Sequence, residues 1–187
     1  MGKPGNDTAA KVAKRVAQEK AALAQKEKPV AVKQAEIDDR DVIAYLQENR
    51  LGDAKLYARL HRDTVVYVKY WERFLIWGGH HWIEDDYEQA FQRIEDVCAL
   101  YIRVMENKQN EADDESDKEL KAKIQNLADM ASRRVNILRD KSGMENLMLM
   151  LRRIRSPLIV LPKHIDKQHY IKACPNGVID LRTGELR

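Results

Sequence analysis

Tyr87, Phe91, Ile94, Val97 or Cys98, Tyr101 and Met105 recur at the three-to-four-residue spacing of one helix face. This is the clearest periodic signal in the chain, and it limits the fold to one with at least one long amphipathic helix at its centre. The spacing predicts a helix over about 87–107, capped by Asp85 or Asp86. A second stripe follows at Leu120, Ile124, Leu127, Ala131, Val135 and Leu138, predicting a helix to about Lys141. Gly143 is expected to break it, with a third helix over 144–155. Between the two stripes, residues 111–119 carry six acids and one lysine and read as a mobile acidic loop.

Upstream, residues 38–50 predict a short helix with acids in its first turn, where the helix dipole favours them. Gly52 reads as its C-terminal stop and Asp53 as the cap of a second helix through Leu60. Residues 64–70 alternate and are rich in β-branched and aromatic types, as a strand requires. With 73–77, the Gly78-Gly79 turn and 80–84 they predict a small antiparallel meander. Pro157 and Pro162 bound a short extended piece at 158–161. At the C-terminus, Val178–Leu181, the Arg182-Thr183-Gly184 turn and Glu185–Arg187 predict a hairpin whose return strand is unfinished, which suggests the front part of a longer protein. The fold class expected is α+β, mainly helical, with a small antiparallel β-meander and a C-terminal β-hairpin.

The 187 residues suffice for one domain, over 36–187, and an appendage, over 1–35. The appendage is Ala/Lys-rich, and its few large apolar positions, Val12, Val16 and Leu23, suit either a solvated helix or a basic arm on DNA. Charged residues make up 34% of the chain with a net charge of only +3, but the charges are segregated. Residues 1–35 hold eight Lys/Arg against three Asp/Glu, and residues 133–172 hold ten against three. Such basic faces are either solvated helix surfaces or the footprint of a polyanion. Arg133, Arg134, Arg139, Arg152, Arg153 and Arg155 form the candidate DNA-binding face. Lys69 and Arg73, beside Trp71, Tyr67 and Tyr70, are further candidates, since aromatics next to cations can stack on single-stranded bases. Core packing is the commoner use of such aromatics, and the pattern predicts Trp82 against Phe91.

No catalytic constellation is recognisable. The eight glycines do not form a phosphate loop, and the Asp85-Asp86 pair reads as a helix cap rather than a metal-binding dyad. Adjacent residues on a strand face opposite ways, so His80 and His81 cannot easily share an ion. No metal ligands are assigned. The two cysteines, Cys98 and Cys174, show no metal spacing and suit a reducing cytosol. No signal peptide or membrane span is visible, and no membrane partner is expected.

Two blocks carry a family resemblance. Cys174-Pro-Asn-Gly-Val-Ile-Asp-Leu-Arg-Thr-Gly-Glu-Leu186 resembles the signature of phage and plasmid primase-helicases, relatives of the poxvirus primase-helicase with a superfamily 3 motor. Phe74-Leu-Ile-Trp-Gly-Gly-His-His-Trp-Ile-Glu-Asp85 resembles that family's tryptophan hairpin, and Gly52–His61 the short helix before it. The resemblance spans about residues 50–187 and implies a non-catalytic linker domain placed before the motor. It implies that DNA, single-stranded or forked, the motor domain that follows and copies of the chain in a hexameric ring are the partners. ATP and magnesium would belong to the parent's motor, with no cofactor in this segment, and the setting would be the cytoplasm of a bacterial host. A protein–protein collar without DNA contact is the competing reading, and a free-standing regulator a third.

Overall fold

The computed structural model describes residues 37–154, 158–161, 170–174 and 177–186. The expected arm at 1–35, together with Arg155, Pro157 and Pro162, lies outside the described residues. The fold is α+β and mainly helical, as its periodicities predict.

Helix α1 (Asp39–Gln47) starts at Asp38, whose carboxylate accepts from the Arg40 amide at 3.4 Å. It does not run on to Arg50. Asn49 adopts a left-handed φ of 56°, which asparagine tolerates better than most residues, and α2 (Asn49–His61) begins there. Gly52 is therefore inside α2 and is not a stop. A Cβ at Gly52 would fall far inside van der Waals contact with the Tyr45 carbonyl, so glycine is what lets the two helices meet at this corner. Asp53 is likewise no cap; it is buried in α2.

Strands β1 (Val65–Val68), β2 (Arg73–Trp77) and β3 (Trp82–Glu84) form the expected antiparallel meander. The 158–161 piece contributes β4 (Ile159–Val160), which pairs parallel with β1, giving a mixed sheet of order β3-β2-β1-β4. All four β1 residues are buried, so both faces of this interior strand are covered.

The helix expected at 87–107 is split. Asp85 accepts from the amides of Gln89 (2.7 Å) and Ala90 (2.8 Å), capping the single turn α3 (Gln89–Gln92). After Arg93, α4 runs over Ile94–Asp114, with Ile94, Val97, Cys98, Tyr101 and Val104 as its buried stripe. It continues through half of the acidic run. Acids at a helix C-terminus oppose the dipole, but Ala112 is buried, and packing outweighs that modest cost. Only Glu115–Asp117 connect α4 to α5 (Lys118–Arg139), and the Asp117 carboxylate accepts from Glu119 N at 2.8 Å. The acidic run is thus the tip of a helical hairpin rather than a loop. Helices α4 and α5 pack along their length, with Ala128 and Ala131 in the buried stripe of α5.

Asp140 ends α5 and caps α6 (Lys141–Arg153). Gly143 lies within α6, where a Cβ would collide with the Ile137 carbonyl, so it makes a second tight corner instead of a break. Helix α6 packs on α2 and α5 through Leu147, Met148 and Leu151. The C-terminal hairpin pairs β5 (Ile171–Cys174) with β6 (Gly177–Asp180); of the expected pairing of 178–181 with 185–187, one antiparallel bridge, Ile179 to Leu186, is present. The 182–184 turn between β6 and that bridge uses Gly184 at φ 73° and the Asp180 carboxylate, which accepts from the Arg182 amide at 3.0 Å.

Tyr57 and Tyr101 are the largest fully buried side chains among the described residues. Each hydroxyl is satisfied: Tyr57 donates to the Ala90 carbonyl at 2.7 Å and Tyr101 to Asp53 Oδ1 at 2.9 Å. The tryptophans are not the core. Trp71 and Trp82 are exposed, Trp77 is half-buried, and Trp82 pairs edge-on with Trp77 at 5.2 Å instead of packing a core with Phe91. Phe91 is partly buried against the central cluster.

Candidate nucleic-acid interface

The structure separates the eight candidate cations by what they touch. Arg134 is drawn inward: its side chain is 11% exposed, 3.6 Å from Asp53 Oδ2, and it donates to Asn49 Oδ1 at 2.6 Å. Asp53, 2% exposed, thus sits between the guanidinium and the Tyr101 hydroxyl and ties α2 to α4 and α5. Burial still pushes its carboxyl above the usual range, with Arg134 and Tyr101 pulling it back down. Arg139 pairs with Glu95 across the α4–α5 face, which lowers the Glu95 carboxyl through that hydrogen bond. Arg73 pairs with Glu84 across β2 and β3. Arg152 lies over the sheet, its guanidinium carbon 5.5 Å from the Tyr67 ring centre and 5.4 Å from that of Phe74, a cation–π arrangement. Its Nε is buried without a hydrogen-bond partner among the described residues.

Arg133 and Arg153 are exposed on α5 and α6, and Lys69 is exposed in the β1–β2 turn; none of the three has an ion pair among the described residues. Arg155 lies outside them. The adjacent pairs Arg133-Arg134 and Arg152-Arg153 thus divide into an inner member with a packing role and an outer one with no ion pair among the described residues. Helical geometry makes this unavoidable, because neighbouring residues point about 100° apart.

The tryptophan hairpin also divides. Trp77 and Trp82 sit at the Gly78-Gly79 end, whereas Trp71 lies in the turn at the opposite end of the sheet. That opposite end gathers exposed Tyr70, Trp71 and Tyr87, which the sequence does not bring together because Trp71 and Tyr87 are 16 positions apart.

Other titratable groups have structural partners. His61 is 1% exposed, stacked at 4.5 Å on Tyr57, with Nε2 at 3.3 Å from the Arg93 carbonyl. Burial holds its imidazole down to about pKa 4, so it is neutral at neutral pH, and its 3.5 Å approach to Asp96 is not an ion pair there. Burial raises the Cys98 thiol to about 11, which leaves no thiolate for chemistry. An open cleft of about 470 Å³ beside α1 and α4 is lined by Ile37, Asp38, Asp39, Arg103 and Asn107. Its polar groups are engaged with each other: Arg103 Nε donates to Asp39 Oδ1 at 2.9 Å, and Asn107 to Asp39 Oδ2 at 2.7 Å. Among the described residues no three His, Cys, Asp or Glu are grouped to hold a metal, and no helix is long and apolar enough to cross a membrane.

Fold and site define an α+β module built on a helical hairpin, with scattered surface cations. The chain belongs to the family described as D5 N terminal like, matched over residues 54–187, a domain found in phage and viral primase-helicase proteins. No curated protein and no solved structure matches it.

Proposed function

We propose that this chain is a non-catalytic connecting module of a DNA-replication primase-helicase, which adjoins the ATP-driven motor and contacts DNA weakly and without sequence preference. Family membership over residues 54–187 is the observation that carries this reading. The exposed Arg133 and Arg153, which have no ion pair among the described residues, support the DNA contact. ATP and magnesium serve the motor, which follows in the same polypeptide and assembles as a ring in the bacterial cytoplasm.

Anisotropy of a labelled single strand, titrated over a salt series, tests the contact. Removing one cation from a phosphate should reduce the log–log salt slope by about 0.7. Arg133→Ala and Arg153→Ala should each do so without changing the melting temperature, since exposed positions contribute little to stability. Absence of binding even at low salt would favour the collar reading, in which the module contacts only protein.

A further inference from the structure

The sheet end opposite the Gly78-Gly79 turn carries a second surface, formed by the loops that leave the sheet there. Val68 pairs with Arg73, so the turn 69–72 projects from this end. Antiparallel pairing places Glu84 beside Leu75, and the Asp85 amide donates to the Phe74 carbonyl at 3.1 Å, so residues 86–88 leave the sheet at the same end. Two similar triplets are thereby juxtaposed, Tyr70-Trp71-Glu72 and Asp86-Tyr87-Glu88. Tyr70 and Tyr87 are each 80% exposed and Trp71 47%. Parallel β4 delivers exposed Leu161 to this end as well, since the Lys69 amide donates to the Val160 carbonyl. Single exposed apolar residues are ordinary, but three aromatics gathered from two separate loops are not.

Charge decides what this surface fits. Among the described residues, the cations of these loops are Lys69 and Arg73, with the Arg152 guanidinium already engaged over the Phe74 ring, and the acids are Glu72, Glu84, Asp85, Asp86 and Glu88. Arg73 is neutralised by Glu84, and Asp85 caps α3. Glu72, Asp86 and Glu88 remain at the surface, with no ion pair among the described residues. A nucleic-acid backbone would be repelled by this excess of acid. We propose that this aromatic, acidic sheet end docks a Lys/Arg-rich segment of a partner protein. The partner's cations would lie on the faces of Tyr70, Trp71 and Tyr87 and pair with the three free carboxylates.

The test uses the full chain, a labelled arginine–leucine peptide and a labelled oligothymidylate. The peptide should bind with salt-sensitive affinity. Tyr70→Ala and Tyr87→Ala should each weaken it about tenfold, as expected for truncating an aromatic hot spot. The triple change Glu72→Gln, Asp86→Asn, Glu88→Gln should remove the salt sensitivity, and as it leaves the rings intact it also serves should an alanine variant unfold. Peptide affinity unchanged in all these variants would overturn the proposal. So would loss of oligothymidylate binding in the two tyrosine variants, which would assign this end to nucleic acid. So would self-association of the chain abolished by the same variants, which would assign it to a second copy.

Discussion

Replacing Arg134 with alanine should unfold part of the population, whereas replacing its neighbour Arg133 should do almost nothing. Arg134 is the ion partner of a carboxylate that is 2% exposed, at 3.6 Å. At an effective dielectric of about 20 the pair is worth about 4–5 kcal/mol before desolvation. Removing one member of a buried pair leaves the other charged and unsolvated, at a measured cost of about 3–5 kcal/mol. For a chain of this length each kcal/mol shifts melting by about 2–4 °C, so a fall of roughly 10 °C is expected. Losing Arg134 also removes a cation that holds the Asp53 carboxyl down, so the folded-state pKa rises further above its unfolded value. A raised folded pKa means that the folded chain takes the proton first and that stability falls as pH rises. The deficit of Arg134→Ala should therefore be smallest in acid and largest at neutral pH, and Asp53→Asn in the same background should recover much of it. Thermal melts followed by circular dichroism over pH measure this directly. Arg134→Ala melting within a degree of the parent while single-strand affinity drops would show that the side chain faces DNA and that the buried-pair argument is wrong.

His61 gives a separable pH effect. Its folded pKa of about 4 lies below the unfolded 6.5, so only the unfolded chain takes the proton between those values and stability falls as pH drops through that window. The total loss is about 3 kcal/mol, at 1.36 kcal/mol per pH unit; urea midpoints for the parent and His61→Leu should diverge in slope across the window. Gly52→Ala and Gly143→Ala should each destabilise by about 1–3 kcal/mol through overpacking against the Tyr45 and Ile137 carbonyls. This would occur although alanine is the better helix former by about 1 kcal/mol; a stabilised variant in chemical denaturation would show that the corner relaxes freely.

The long helices, the meander and the C-terminal hairpin were legible because each rests on a periodicity or a turn chemistry that is local in sequence. What was not legible depends on contacts between elements. Gly52 and Gly143 look like helix stops, since a stop is glycine's usual local meaning. Both instead lie in the first turn of a new helix, where the carbonyl of the preceding helix presses on the backbone. The acidic run looks like a loop because its charges disfavour a helix end, yet the burial of Ala112 overrides them. Asp53 looks like a cap, as many aspartates near a helix start are, and only the fold brings it to Tyr101 and Arg134. The β4 pairing was illegible for the same reason, because a two-residue strand has no periodicity and pairs with a partner 92 residues away.

The same distinction governs the cations. Composition shows ten Lys/Arg over 133–172, but not which are free. Arg134, Arg139 and Arg152 hold the module together, through a buried carboxylate, a surface carboxylate and two aromatic rings respectively. Removing Arg134 or Arg152 would disturb the fold before it disturbed any ligand, whereas the exposed Arg139–Glu95 pair adds little to stability. Arg133 and Arg153 are left on the outside of the same helices, and two such charges on phosphates would give a salt slope of only about −1.4 on a single strand. That is weak binding by the standard of a dedicated DNA-binding domain. On the proposed reading, the module's hold on DNA would be supplemented by the protein to which it would be joined, with the acidic aromatic sheet end available for protein contact.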